Sequence, residues 1–228
     1  MKKLIFLSLF WFALSPLLHA ESLLKLDYSK RLDGDAKDWL IAEDWTFQAG
    51  AKSIKPLFQE GKLIIIAKEE QLGQLVKRVN LENAKTLIIK WGVNKFPKNA
   101  SWDNSVEREA IMVSVSFGKE IHGSGVLFLP SLPRFIGFFL GETEKEGQAY
   151  KGRYYKKSAD YYCLPCGNKA TEEVTTEVDL EDYYKKSFGT GPMPYISSLS
   201  LEFDTRDTGP SEAFIRSIEI IAKDSISK

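Results

Sequence analysis

Short apolar runs, each closed by a turn residue, constrain this chain more than any other feature. Gly61–Ala67, Gly73–Val79 and Lys85–Val93 are rich in β-branched residues. Ala110–Phe117 alternates apolar and small polar side chains before Gly118, and Ile196–Asp204 alternates in the same way. Phe214–Ala222 reads as a last strand. A period of two puts alternate side chains on opposite faces, so Val113, Val115 and Phe117 share one face and Ser114 and Ser116 the other. Many short strands at modest spacing predict an all-β fold, an antiparallel β-sandwich or jelly roll, rather than alternating βαβ units.

One segment carries a helical period instead. Leu180, Tyr184 and Phe188 recur at i, i+4 and i+8, which makes one apolar stripe. Asp179 can cap its start, Lys185 and Lys186 suit its last turn, and Gly189 suits its end. A short crossover helix near residues 179–188, packed on the sandwich, is the expectation. The apolar segment Gly125–Leu140 is interrupted by Pro130, Pro133 and Arg134, and reads as two strands around a Pro-containing turn. No linker or internal repeat divides the chain, so residues 21–228 are expected to form a single domain.

Residues 1–20 are set apart from that domain. Lys2 and Lys3 precede an apolar run that ends at Leu18-His19-Ala20, the pattern of a cleaved secretory signal. No further transmembrane span is expected after cleavage. The whole chain balances 31 basic against 31 acidic residues; losing Lys2 and Lys3 leaves 29 against 31. No protein-wide basic field exists to bind nucleic acid. The mature chain keeps one histidine, His122, so a multi-histidine metal site is excluded and no metal or other cofactor is expected. A periplasmic or secreted location favours a disulfide between the two cysteines, Cys163 and Cys166. A redox centre and free thiols are the alternatives.

Tyr150–Lys157 mixes tyrosine with lysine and arginine, and leads to Tyr161 and Tyr162. Aromatic faces stack on sugar C–H faces while tyrosine, lysine and arginine donate hydrogen bonds. Arg153, Tyr154 and Tyr155 are therefore candidate ligand contacts. The same alternation also suits a half-buried strand. Trp102 lies in the polar loop Asn99–Asn104 and is the candidate exposed aromatic, whereas Trp91 sits in an apolar run and belongs to the core. Asp204, Asp207 and Thr208 form an oxygen-rich turn. Glu107 and Glu109 could share one side of a strand, and His122 reads as a surface turn residue.

The stretch Leu87–Val93, with its central Trp91, resembles a strand of an uncharacterised family of secreted bacterial proteins, domain-of-unknown-function family 3047. Asp182-Tyr183, Phe188-Gly189, the strand and turn Ile196–Gly209, and the last strand Phe214–Ile220 are similar to its C-terminal hallmark. The resemblance runs from about Trp45 to Ala222. Arg206 stands where the family pattern has an acid, which argues against a cation site at this turn. The resemblance implies a secreted β-sandwich of the galactose-binding type and no established activity.

Together these readings point to a binding module for a carbohydrate or cell-envelope polymer. Its ligand would meet Trp102, Arg153, Tyr154, Tyr155 and Asp204. Two alternatives stand beside it. One is a glycan hydrolase using carboxylates such as Glu107 with Glu109 or Asp204. The other is an envelope interaction protein without a small-molecule ligand.

Overall fold

The computed structural model describes residues 21–127, 129–167 and 171–223. The secretory signal expected over residues 1–20 lies outside the described residues. The strands are β1 (Ser22–Asp27), β2 (Gly34–Asp35), β3 (Trp45–Ala49), β4 (Leu57–Gln59), β5 (Lys62–Ala67), β6 (Leu72–Leu81) and β7 (Ala84–Lys95). They continue as β8 (Glu109–His122), β9 (Leu132–Gly141), β10 (Ala149–Tyr150), β11 (Ala159–Cys166), β12 (Val174–Asp179), β13 (Ile196–Asp204) and β14 (Ser211–Ala222). Two helices, α1 (Lys37–Ala42) and α2 (Leu180–Phe188), interrupt them. The fold is all-β, and the six expected runs lie on β5, β6, β7, β8, β13 and β14.

The strands form two seven-stranded sheets. The first has the order β12-β7-β14-β5-β4-β2, with β1 also paired to β14; the second has the order β10-β11-β9-β8-β13-β6-β3. The core lies between them. Leu87, Ile89, Trp91 and Val93 enter it from the first sheet, and Val113, Val115, Leu199, Leu201 and Phe203 from the second. Trp91 is fully buried, as expected, and its indole Nε1 donates to Thr176 Oγ1 at 2.8 Å. That bond removes the penalty of an unpaired donor inside the core.

Helix α2 crosses from the first sheet to the second. Asp179 Oδ1 accepts the Asp182 N–H at 3.1 Å, so the cap forms as expected. Leu180 and Tyr184 are buried, and the Tyr184 ring meets Phe117 at 5.0 Å and Phe188 at 5.2 Å, edge to face.

Three expectations need correction. Helix α1 is present although its pattern went unread: it has six residues and buries only Leu40, too little for a helical period. The pairing is not wholly antiparallel, because β11 runs parallel to β9. The long 142–158 connection gives the chain room to return in the same direction. Finally, Gly125–Leu140 is not two strands. Among the described residues of this segment only β9 forms; before it, Ser124 Oγ donates to the Val126 and Leu129 carbonyls and accepts the Val126 N–H, which closes a local turn. Among the described residues no helix is long and apolar enough to cross a membrane.

Candidate functional site

The period of two along β13 builds the site. Leu199, Leu201 and Phe203 point into the core, so Ser200, Glu202 and Asp204 stand on the outer face of the second sheet. On β8, Val113 and Val115 face the core, and Ser114 meets Ser200 at 2.6 Å on the outer side. Glu109 pairs with Asp204 and Met112 with Glu202, with a register shift between the two positions. Gln74 of β6 lies beside Glu202, and its Nε2 donates to Glu202 Oε2 at 3.0 Å.

These three carboxyl groups have different surroundings. Asp204 is engaged by two guanidinium groups: Arg206 Nε and Nη2 donate at 3.0 and 2.5 Å, and Arg108 Nε stands 3.5 Å away. The turn is held by its own side chains, because Asp204 Oδ1 also accepts the Arg206 N–H. Glu109 is only 3% exposed, and its Oε2 has no hydrogen-bond partner. Burial pushes its pKa well above the usual carboxylate range, and the charges of Glu202 and Asp204 add to this. Glu202 is partly exposed, and burial with the neighbouring Asp204 charge pushes its pKa up to about 7.

An aromatic row flanks these groups on β9, β11 and the adjoining loops. Tyr155 meets Phe135 at 5.7 Å, Phe135 meets Tyr161 at 5.8 Å, and Tyr161 meets Trp102 at 4.8 Å. Trp102 then stacks on Phe139 at 5.0 Å. Two glycines leave room for the Tyr161 ring. A Cβ on Gly137 would stand 2.9 Å from Tyr161 Cδ1 and 2.3 Å from Met112 Sδ, and one on Gly152 would stand 2.9 Å from Tyr161 Cε2. Burial and the charge of Glu202 raise the pKa of both Tyr155 and Tyr161.

The structure thus brings part of the expected set together and rearranges its roles. Tyr155 is partly exposed, with its hydroxyl donating to the Pro130 carbonyl at 2.7 Å. Arg153 is exposed, and its N–H donates to Glu107 Oε2 at 2.8 Å, which ties this loop to the approach to β8. Tyr154 is half-buried. Trp102 is not the exposed aromatic its loop suggested: it is 8% exposed. Glu144 Oε1 accepts its backbone N–H at 2.9 Å, while Phe139, Tyr150 and Tyr161 surround its ring. Asp204 presents a carboxylate already occupied by arginine.

Glu202, Gln74, Phe135 and Tyr161 are added to the site by the structure. The strict alternation of Ser200, Glu202 and Asp204 was the available signal for Glu202. Cys163 and Cys166 are bonded to each other. Cys163 is fully buried in the same outer cluster as Trp102 and Met112. Among the described residues no group of three or more His, Cys, Asp or Glu side chains could hold a metal ion.

No family model and no curated protein matches the chain. Several solved structures are similar to it. A point mutant of the Emp46p carbohydrate recognition domain is 14% identical, with 89% of this chain and 98% of that one covered and a TM-score of 0.47. The VIP36 exoplasmic/lumenal domain, in a Ca²⁺- and mannose-bound form, is 13% identical over 81% of this chain and 84% of its own, with a TM-score of 0.41. A family 12 xyloglucanase from Bacillus licheniformis is 12% identical over 90% of this chain and 100% of its own, with a TM-score of 0.42. Similarity at this level carries no argument about activity. The fold stands on the chain's own two sheets.

Proposed function

We propose that this chain is a periplasmic or secreted carbohydrate-binding protein whose ligand lies on the outer face of the second sheet. One observation carries the reading: the partly exposed rings of Tyr155, Phe135 and Tyr161 form a row beside the hydrogen-bonding pair Glu202 and Gln74. Ring faces offer stacking area to sugar C–H groups. A carboxylate and an amide together offer acceptors and donors to vicinal hydroxyls. Arg153 and Tyr154, on the loop that carries Tyr155, complete one side of this surface. The bonded cysteines and the basic-apolar N-terminus support the location. The C-terminal motifs support kinship with the secreted family 3047.

A screen of the chain against immobilised envelope-derived and polysaccharide-derived oligosaccharides tests this reading. Binding to a glycan class that is lost in Tyr155→Ala supports it, and an empty screen counts against it.

A second reading is favoured by the carboxyl groups. Glu202, with its pKa near 7, has the protonation range of a general acid at neutral pH, and Glu109 lies diagonally across the strand pair. In this reading Glu202 and Glu109 replace the pairs expected from sequence, since Asp204 is held by arginine and Glu107 accepts from the Arg153 backbone. Release of reducing ends from a bound oligosaccharide, abolished in Glu202→Gln, would distinguish hydrolysis from binding alone.

A further inference from the structure

A second cleft opens at the other end of β8, where α2 leans on the start of β9. It encloses about 250 Å³ and is lined by Phe117, Lys119, His122, Arg134, Tyr184 and Tyr195, among others. Its chemistry is uneven. Lys119, His122 and Arg134 bring positive or protonatable groups, and Glu120 is the single carboxylate on its wall. Its side chain is 83% exposed, and its Oε1 stands 4.0 Å from His122 Nε2, within ion-pair range but beyond hydrogen-bond length.

Two side-chain nitrogens of these residues are buried without a hydrogen-bond partner. They are Nε of Arg134 and Nε2 of His122. Leaving a buried nitrogen unpaired costs free energy, and a guanidinium N–H costs more than a neutral donor. The rest of the arginine is fixed. Its Nη1 reaches the Tyr184 hydroxyl at 3.4 Å, and its guanidinium lies 5.3 Å from the Phe188 ring centre. Tyr184 can accept from Arg134 and still donate its own proton into the cleft.

The backbone directs the neighbouring side chains. The β8–β9 ladder shifts register between Phe117 and Ile121, and Gly118 has a φ of 64°, a left-handed conformation that glycine adopts without strain. That irregularity takes Lys119 out of strict alternation. The sequence reading of His122 as a surface turn residue is corrected here: it ends β8 with a 26% exposed side chain turned to the cleft wall.

We propose that this cleft binds the oxyanion of a small ligand, a carboxylate or a phosphate. Arg134 and Lys119 line the cleft and supply its charge and donors, and the Tyr184 hydroxyl stands beside the Arg134 guanidinium. Phe117 and Pro194 offer an apolar wall to the body of the ligand. The volume is below the roughly 300–1,000 Å³ of drug-sized pockets, so the ligand has monosaccharide size or less. The site lies apart from Glu202 and the aromatic row, and the proposal does not depend on how those residues act.

The test is a ¹⁵N–¹H NMR titration of the exported chain with sodium glucuronate, with inorganic phosphate, and with glucose as the neutral probe. The expected result is saturable movement of the Gly118, Lys119 and His122 amide signals with one or both anions and none with glucose. The anion that saturates at lower concentration identifies the carboxylate or the phosphate source. Arg134→Gln should weaken that binding about tenfold, the worth of one hydrogen bond from a charged donor. Lys119→Ala, an exposed change that leaves the packing of α2 intact, should weaken it about threefold, as the loss of one partly screened charge predicts. Signals that stay still with both anions, equal movement with glucose, or full affinity in Lys119→Ala would overturn the proposal.

Discussion

Glu109 and Asp204 face each other across the β8–β13 ladder, yet only Asp204 is held by arginine. Arg206 and Arg108 both turn to Asp204, and the buried Oε2 of Glu109 has no partner. The pair therefore divides one arginine supply unequally. Asp204 stays paired as a structural clamp for the turn after β13. Glu109, together with Glu202, is left where protonation is favoured.

This division sets the pH dependence of stability. The folded-state pKa of Glu109 and of Glu202 lies above the ordinary value of 4.5. The folded state thus binds more protons than the unfolded chain between pH 4.5 and about 7. Their contributions are fully present below pH 4.5; that of Glu202 is lost as pH rises through about 7, and that of Glu109 as pH rises through its own raised pKa. For Glu202 it amounts to at most about 3 kcal/mol. Urea unfolding should show a midpoint that falls across this window, and the fall should be smaller in Glu202→Gln. Asp27, Glu173 and Glu181 have lowered pKa values, from hydrogen bonds to Ser29, Arg216 and Lys223 respectively. Their contributions are present above the ordinary values of 3.8 and 4.5 and are lost as pH falls below them, outside that window.

Gly137→Ala tests whether the Tyr161 ring needs the space left at Gly137. The added Cβ would meet Met112 Sδ at 2.3 Å and Tyr161 Cδ1 at 2.9 Å, so one side chain must move. Overpacking of this kind costs about 1–3 kcal/mol. Thermal unfolding should show the loss, and glycan affinity should fall with it.

Reduction of Cys163–Cys166 should have a modest effect. The bond closes a loop of sequence separation 3, and chain entropy assigns a loop that short about 2 kcal/mol. Cys163 packs in the cluster that holds Trp102. Denaturant melts with and without reductant should differ by that amount, with a change in tryptophan emission.

Much of the fold was legible because a period of two survives in single residues. Val113, Val115, Leu199 and Leu201 alternate with serines, and both their strand type and their inward face follow. Asp179 and Gly189 likewise mark α2 through local chemistry. Trp102 was not legible. Its burial depends on Glu144 and on Tyr161, contacts made across long stretches of chain that no local pattern encodes. The parallel β9–β11 pair escaped for the same reason. Glu202 was visible as an outward residue, but its raised pKa comes from burial and the neighbouring Asp204 charge, and burial is set by packing that no local pattern encodes. His122 looked like a turn residue because Gly123 follows it, whereas it ends β8 and lines the cleft with Arg134.

The central claim is that the aromatic row beside Glu202 binds carbohydrate. Its most direct test is calorimetric titration of the intact chain and of Tyr155→Ala with the best-retained oligosaccharide from the glycan screen. Loss of a stacking ring predicts affinity lowered about tenfold with the fold unchanged. Equal affinity in the two proteins would contradict the assignment of the ligand to this face.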